Sequence, residues 1–290
     1  MREFRTQRDA TSQPKRASGG AWTAATTQTI PEFSATAYYF GQKLQKQLGV
    51  PVGLVNASVG ATRIDSWLSR EAFASDSRFK KSLGFIDATQ VQYEKDLAAY
   101  DTAKATLAPG AAPLAPPKYG TGGKNDMTSL YNAMIAPSAG YAIKGAIWYQ
   151  GEANRGDGPN YFYKLKLLIE SYRAAWKQGD FPFYVVQIAP FGYKGNVERS
   201  GEIQEAQAQA LTLPNTGLVV TMDVGDLQNI HPARKREVGE RLALAKTYGR
   251  DLGVVDSPIL DGFAVEGSEI RLKFKNTGGA LKSSDGKPLS

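Results

Sequence analysis

The sequence of 290 residues contains no cysteine and only one histidine, His231. The absence of cysteine excludes disulfides, a thiol nucleophile and zinc sites with cysteine ligands. A single histidine excludes metal sites built from several imidazoles, so that only oxygen ligands remain for an ion. We therefore expect no metal and no cofactor.

Long apolar runs are also missing. None approaches the roughly 18 residues that a membrane-spanning helix needs, and the polar segment 1–20 lacks the apolar stretch of a signal peptide. Hydrophobic residues make up 42% and charged residues 22% of the chain, which is typical of a globular protein. We expect one large domain with an appendage and no membrane partner.

A formal net charge of +7 raises nucleic acid as a partner. However, the basic residues are scattered along the chain among 28 acidic ones, and the densest cluster, 233–237, lies inside a helical pattern. A solvated helix face explains that cluster, so we expect no nucleic-acid partner.

Four short apolar runs predict buried strands, at 52–58, 143–149, 183–189 and 217–222. Amphipathic helical patterns lie between them, the first starting at Ser34 as the N-cap and placing Phe40 and Leu44 on one face. Apolar strands that alternate with amphipathic helices predict an α/β fold whose parallel sheet is covered on both faces, giving three layers.

Two segments depart from this alternation. The stretch 107–124 is rich in proline and glycine and predicts a mobile surface insertion near the site. Beyond residue 255 the pattern alternates as in antiparallel strands. We therefore predict an α/β domain over 1–254 and the start of a β-rich element over 255–290.

Polar stretches follow three of the predicted strands, at 56–67, 150–158 and 223–232. In an open parallel sheet the carboxyl ends of the strands share one edge, and ligands bind there. These stretches are the candidate site.

In the last stretch, Pro232 suits the first position of a helix, which makes His231 the expected N-cap. The helix dipole there disfavours imidazolium and leaves a neutral ring that can accept a proton. Asp226 lies on the same loop and is placed to hold the other ring nitrogen. The alternative interpretation is a turn histidine exposed to solvent.

In the middle stretch, Gln150 and Asn154 carry amide donors of the kind that stabilise an oxyanion at the end of a rigid strand. Glu152 lies between them and either organises them or binds substrate. The alternative is a polar helix cap.

In the first stretch, Gly60 offers an unobstructed backbone N–H as a second kind of oxyanion donor. Ser58 and Gly60 imitate the second half of a Gly-x-Ser-x-Gly elbow, although Asn56 stands where the first glycine belongs. The alternative for Ser58 is a turn of small residues.

Residues 33–69, 130–154 and 225–245 together closely resemble the sialate O-acetylesterase family of the SGNH-hydrolase superfamily. The three blocks occur in the family's order, and "WYQGE" and "IHP" are their most specific motifs. The resemblance implies an SGNH-type α/β/α domain, found in the periplasm or outside the cell. It also implies a serine and histidine mechanism that removes O-acetyl groups from carbohydrates, either sialate or plant-polysaccharide sugars.

Carried over by motif, the resemblance makes Gly60 an oxyanion donor and His231 the catalytic base, with Gln150 and Asn154 in the third block. The substrate is then an acetylated sugar, and we assign Glu152 and Trp67 to its binding. Trp148 and Tyr149 could stack on the sugar in place of Trp67. The other interpretation is that these three aromatic rings belong to the hydrophobic core.

The acid that orients the histidine departs from the family pattern. The superfamily usually places it three residues before the histidine, where this chain has Gln228. Asp226 is our choice, and Asp223 is its rival.

The sequence departs further from the family pattern at the nucleophile. The family's serine lies in a Gly-x-Ser-Asn block upstream of the 33–69 region, and residues 1–33 contain only Ser12 and Ser18, neither in that setting. We therefore expect either an internal portion of a longer esterase or a divergent member whose nucleophile is displaced, with Ser58 as the candidate. The alternative function is a carbohydrate-binding remnant without catalysis.

Overall fold

In a computed structural model of the chain, the described residues are 1–195, 198–244, 258–275 and 277. The strands there are β1 (Arg2–Thr6), β2 (Gly20–Ala24), β3 (Gly53–Asn56), β4 (Ala146–Tyr149), β5 (Phe183–Val186), β6 (Thr216–Val219), β7 (Ile259–Glu266) and β8 (Glu269–Lys275). The α-helices are α1 (Ala35–Leu48), α2 (Arg70–Ala74), α3 (Lys80–Ala105), α4 (Tyr161–Trp176), α5 (Glu198–Ala208) and α6 (Lys235–Leu244).

The strands of the α/β part form two separate sheets. One has the order β2-β1-β3 and the other β4-β5-β6. β1 and β3 are parallel, as are β4, β5 and β6, whereas β2 is antiparallel to β1. All four predicted strands are present, each shorter than its apolar run.

Strands β1 and β2 were not predicted, because β1 is mostly polar and β2, with the sequence GAWTA, is too short to show an apolar run. In β1 the carboxylate of Glu3 is buried and accepts hydrogen bonds from the Ser34 N–H at 3.3 Å and from Nδ2 of Asn56 at 3.0 Å. A charged residue on the inward face breaks the alternating hydrophobic pattern by which such a strand is predicted. Its burial is possible because of hydrogen-bonding partners from distant parts of the chain, which the local sequence does not show.

The alternation along β5 explains the three layers. Phe183 and Val185 belong to an apolar cluster that includes residues of α4, while Tyr184 and Val186 belong to a second cluster that includes residues of α1 and α6. Because neighbouring side chains of a strand point to opposite faces, helices cover both faces of this sheet. The predicted three-layer α/β/α fold with a parallel sheet is confirmed.

Helix α1 starts as predicted. The Oγ of Ser34 accepts a hydrogen bond from the Ala37 N–H at 3.4 Å, and the helix ends at Gly49 in the left-handed conformation, with φ of 68°. Phe40 and Leu44 are buried on its inner face, as predicted.

Segment 107–124 has no helix or strand and is mostly exposed. The segment follows α3 and ends at Lys124. Nζ of Lys124 donates a hydrogen bond to the Gly60 carbonyl at 2.5 Å. The segment therefore ends beside the predicted site, and its mobility stays a prediction.

The antiparallel pair β7 and β8 forms the predicted β-rich element. The division at residue 254 falls within 245–257, outside the described residues, so the two-part organisation stays a prediction. None of the helices in the described ranges has the length and apolar character needed to cross a bilayer.

Helices α1 and α6 approach each other closely at Gly239. A Cβ atom built there lies 2.6 Å from the carbonyl oxygen of Thr36 and 2.8 Å from the backbone nitrogen of Phe40. Because these are backbone atoms, they cannot move aside by a change of rotamer. Gly239 thus sets the position of the helix that follows the His231 loop.

We expect Gly239→Ala to lower the free energy of unfolding by about 1–3 kcal/mol, because the methyl group overpacks the contact between the helices. Urea unfolding measures this. The control is Gly84→Ala in α3, where nothing lies within 4 Å of the added methyl group. That change is expected to stabilise by about 0.5–1 kcal/mol, since alanine favours helix. A neutral Gly239→Ala would contradict the close approach.

Candidate active site

The loops that follow β3 and β4 are joined by direct hydrogen bonds. Nε2 of Gln150 donates to the Thr62 carbonyl at 2.9 Å, and the Ile64 N–H donates to Oδ1 of Asn154 at 2.8 Å. The predicted oxyanion residues of the two loops therefore lie at one edge of the fold.

Asn154 is fully buried. Its Nδ2 donates to Asp65 at 3.1 Å and to Asp157 at 2.7 Å, while its Oδ1 accepts from the Ile64 N–H and from Nε2 of Gln150. Both amide hydrogens are used, so none remains for an oxyanion. In this arrangement carboxylates that the sequence does not place nearby take both hydrogens, and the oxyanion role of Asn154 stays a prediction.

The side-chain amide and the backbone carbonyl of Gln150 also have hydrogen-bonding partners within the protein. Its Nε2 donates to the Thr62 carbonyl and to Asn154 at 2.8 Å, and its Oε1 accepts from the Tyr161 hydroxyl at 2.8 Å. Its carbonyl accepts from Nε2 of Gln207 at 3.0 Å. The side chain therefore joins the two loops, and its predicted role as an oxyanion donor stays a prediction.

The Gly60 N–H has no acceptor among the described residues. The turn that contains it is exposed, and a Cβ atom built at Gly60 meets nothing within 4 Å. The next residue, Ala61, has φ of 56°, in the left-handed region. Of the three predicted donors, Gly60 is the one with a free N–H.

Ser58 lies on the same turn and is exposed. Its Oγ donates to Oδ1 of Asn56 at 2.7 Å, and Nδ2 of Asn56 donates in turn to Glu3. The serine hydroxyl is thus bound to an amide oxygen, which does not serve as a general base.

Four charged residues beneath Asn154 form a network that was not predicted from the sequence, and three of them, Asp65, Asp157 and Lys164, have side chains no more than 15% exposed. Nζ of Lys164 lies 2.7 Å from Asp65 and 2.8 Å from Asp157, and Arg63 lies 2.9 Å from Asp157. The Asp65 side chain is only 5% exposed. Because the four residues are spread over a hundred positions, no sequence spacing signals the cluster.

Burial by itself raises the pKa of Asp157. Hydrogen bonds from Lys164 and Asn154, together with the charges of Lys164 and Arg63, outweigh this and hold its pKa below the usual value. Asp157 is therefore a carboxylate at neutral pH, and the network fixes the amide of Asn154 and, through it, Gln150.

His231 lies on an exposed loop, and its N–H donates to Oδ1 of Asn229 at 2.9 Å. Helix α6 begins only at Lys235, so the prediction that His231 is its N-cap is wrong. The physical reason is the turn that precedes the helix, in which asparagine and aspartate side chains bind backbone N–H groups. The argument from the helix dipole therefore does not apply to the imidazole.

The two candidate acids have other partners. Oδ1 of Asp226 accepts from the N–H groups of Gln228 at 2.8 Å and Asn229 at 3.2 Å. Asp223 forms an ion pair with Arg241, whose hydrogen bond lowers the pKa of Asp223. Within the described ranges neither carboxylate bonds to the imidazole of His231, and the assignment of Asp226 as orienting acid stays a prediction.

The start of α6 reaches the end of β4. Nζ of Lys235 lies 4.9 Å from the centre of the Tyr149 ring. Burial lowers the pKa of Lys235, and the nearby charge of Glu152 opposes this. Burial also raises the pKa of Tyr149 to about 12, with a further contribution from Glu152. Glu152, predicted to bind substrate, thus lies among the residues of this rim.

Trp67 does not lie on the rim as a stacking surface. Its indole is 3% exposed, its Nε1 donates to Oγ1 of Thr62 at 3.0 Å, and its ring meets the edge of Trp148 at 6.1 Å between centroids. The ring therefore packs in the core, and its predicted role in substrate binding stays a prediction.

Comparison with known proteins gives the family. Residues 115–248 match the family described as carbohydrate esterase, sialic acid-specific acetylesterase. The sialate O-acetylesterase of Homo sapiens is 26% identical over 265 residues, which cover 82% of this chain and 45% of that protein. That of Rattus norvegicus is 30% identical over 244 residues, which cover 74% of this chain and 43% of that protein.

The crystal structure of a carbohydrate acetylesterase from Xanthomonas citri matches with a TM-score of 0.78 and 30% identity, over 99% of this chain and 58% of that one. The chain belongs to the sialate O-acetylesterase family. It spans about half the length of the curated relatives it matches.

We expect Asp157→Asn to lower the free energy of unfolding at pH 7 by about 2 kcal/mol. This is less than the roughly 3–5 kcal/mol typical of a broken buried ion pair, because Asp65 still neutralises Lys164. Since the folded-state pKa of Asp157 is depressed, its contribution is present above the unfolded pKa, near 3.8, and is lost as the pH falls through the lower folded value. Urea unfolding at pH 7 and pH 3 measures the difference.

The control is Asp87→Asn, which breaks the exposed ion pair of Asp87 with Arg70 and is expected to cost no more than about 1 kcal/mol. A loss of stability in Asp157→Asn that is equal at pH 7 and pH 3 would contradict the role of its charge.

Proposed function

We propose that this chain carries the acyl-transfer site of a carbohydrate O-acetylesterase, with an acetylated sugar as substrate. One observation carries the proposal: the turn that contains Gly60, with its free N–H, is held against Gln150 by the hydrogen bond from Nε2 of Gln150 to the Thr62 carbonyl. This is the arrangement that acyl transfer requires at a rigid edge of a sheet.

The reaction is ester hydrolysis in two steps. A serine hydroxyl attacks the acetyl carbonyl while His231 takes its proton, and the sugar leaves as an alcohol when that proton is returned. Water then attacks the acetyl-enzyme by the same path and releases acetate. The Gly60 N–H stabilises the oxyanion, whereas Gln150 and Asn154 hold the turn that carries it.

The rim also carries groups suited to a sugar. Glu152 is a partly exposed carboxylate near Tyr149 and Tyr193, and the guanidinium of Arg155 stacks over the Tyr193 ring at 4.0 Å. Carboxylates bind hydroxyl groups, and aromatic rings pack against the apolar face of a sugar. A location in the periplasm or outside the cell belongs to the same proposal and rests on the family resemblance.

A second candidate function is carbohydrate binding without catalysis. It is favoured by one observation, the hydrogen bond of the Ser58 hydroxyl to Asn56, which leaves this serine without a basic partner. The two functions differ in whether any ester is hydrolysed.

We expect the 290-residue protein to hydrolyse p-nitrophenyl acetate slowly and to be insensitive to a serine-directed phosphonate. The residual rate is that of an oxyanion donor and a base without their nucleophile, about 10³–10⁴-fold above water. Ser58→Ala is expected to change kcat/KM less than twofold, as is the control Ser12→Ala. His231→Ala is expected to lower kcat/KM by about 10²-fold, because it removes general-base assistance.

Fast turnover that disappears in Ser58→Ala would make Ser58 the nucleophile and contradict the assigned role of this turn. If no variant hydrolyses the ester and calorimetry shows binding of an acetylated sugar, the esterase proposal fails and the binding function replaces it.

A further inference from the structure

The carbonyl groups of Gly60 and Ala61 are held by one distant segment of the chain. Nζ of Lys124 donates to the Gly60 carbonyl at 2.5 Å, and Nδ2 of Asn125 donates to the Ala61 carbonyl at 3.3 Å. No backbone N–H in the described ranges donates to either carbonyl. Two consecutive carbonyls of the turn are therefore bound by two consecutive side chains that lie 64 residues away in sequence.

Asn125 binds the turn through both atoms of its side-chain amide. While Nδ2 donates to the Ala61 carbonyl, Oδ1 accepts from the Arg63 N–H at 2.8 Å. The amide therefore spans residues 61–63. Because its oxygen and nitrogen belong to one planar group, the two backbone groups cannot move apart without breaking a hydrogen bond.

The backbone of Ala61 needs support of this kind. Its φ of 56° lies in the left-handed region, which alanine rarely adopts. Such a conformation persists where the surrounding contacts fix it. Packing does not fix it here, because Gly60 and Ala61 are exposed and a Cβ atom built at Gly60 meets nothing within 4 Å.

One further hydrogen bond closes the turn from within. Oγ1 of Thr62 donates to the Val59 carbonyl at 2.8 Å. This bond leaves the two peptide groups on either side of Ala61 unconstrained. Within the part of the chain that the structure describes, those peptide groups are held by Lys124 and Asn125.

The segment that provides these two donors is itself fixed. The carboxylate of Asp126 accepts from the N–H groups of Thr121 at 3.1 Å and Gly123 at 2.9 Å, and from the Thr121 hydroxyl at 2.8 Å. Two residues further on, the Thr128 N–H donates to the Asp65 carbonyl at 3.1 Å. The two side chains that bind the turn therefore project from a segment held at both ends.

We propose that Lys124 and Asn125 are positioning residues for acyl transfer, which hold the Gly60 turn in the conformation that presents its N–H to the oxyanion. This inference rests on the proposed function, because it gives Gly60 the role of donor. Lys124 and Asn125 act through the turn and not on the acyl group. The donor therefore depends on the segment that follows the proline-rich stretch 107–124.

The contribution is to the transition state. A hydrogen-bond donor stabilises an oxyanion most when it is in place before the charge develops, so that no reorganisation accompanies the reaction. The acyl oxygen carries that charge in the transition state and not in the bound ester. Loss of the positioning contacts is therefore expected to lower kcat and to leave KM unchanged.

The first test measures hydrolysis of p-nitrophenyl acetate by the double variant Lys124→Met/Asn125→Ala. We expect kcat to fall about 10–10²-fold, as for a misplaced group, with KM changed less than about twofold. Lys124→Arg keeps a cationic donor and is expected to retain kcat within about threefold, whereas Lys124→Met alone lowers it further. The control Lys95→Met removes an exposed lysine of α3 and is expected to leave kcat unchanged.

The second test does not use ester hydrolysis. By NMR, the HN–Hα coupling and the Cβ chemical shift of Ala61 report its backbone conformation. We expect the left-handed conformation in the unchanged protein and in Lys95→Met, and its loss in the double variant. The amide shifts of β6, residues 216–219, are expected to stay the same, which separates a local change from unfolding.

A left-handed Ala61 in the double variant would overturn the inference. An unchanged kcat in the double variant would also overturn it if Gly60→Pro, which removes the N–H, abolishes hydrolysis. If Gly60→Pro leaves hydrolysis unchanged, or if the protein hydrolyses no ester, the proposed function fails instead. The conformation of Ala61 then decides by itself whether Lys124 and Asn125 hold the turn.

Discussion

The buried amide of Asn154 is the contact on which the candidate site depends. It accepts from the Ile64 N–H after β3 and from Gln150 after β4, and it donates to Asp65 and Asp157 below. All four bonds are made away from solvent, where an unpaired polar group costs about 1–3 kcal/mol. The amide therefore has one acceptable orientation, and that orientation sets the position of the Gly60 turn relative to β4.

This contact matters because the two sheets share no backbone pairing among the described residues. Near the rim, the β3 and β4 sides are joined by side chains: the amides of Gln150 and Asn154, the ion pair of Arg63 with Asp157, and the packing of Trp67 on Trp148. At the rim these side-chain contacts thus connect the two sheets, as backbone hydrogen bonds connect neighbouring strands within each sheet. The same separation leaves a cavity between β3 and β4, whose lining includes Ser58 and Gln150.

The histidine side of the rim is organised differently. The loop that carries His231 is fixed by Asp226 and Asn229 bonding to backbone N–H groups, and Asp223 is paired with Arg241. These carboxylates shape the loop and leave the imidazole without a carboxylate partner among the described residues. In the proposed esterase, His231 therefore acts as a base whose position depends on the loop and on the close contact between α1 and α6.

The sequence by itself determined the alternation of apolar strands and amphipathic helices, the cap of α1 at Ser34, and the edge at which Gly60 and Gln150 lie. These features depend on local periodicity and on the rule that parallel strands end at one edge. Tertiary structure alone decided that Asn154 and Gln150 bind protein partners, that Trp67 is in the core, and that β1 and β2 are strands. The physical reason is that the hydrogen-bonding and ionic partners of a polar side chain determine its position and role. Those partners lie far away in the chain: Asp65 and Lys164, for example, are almost a hundred residues apart in sequence.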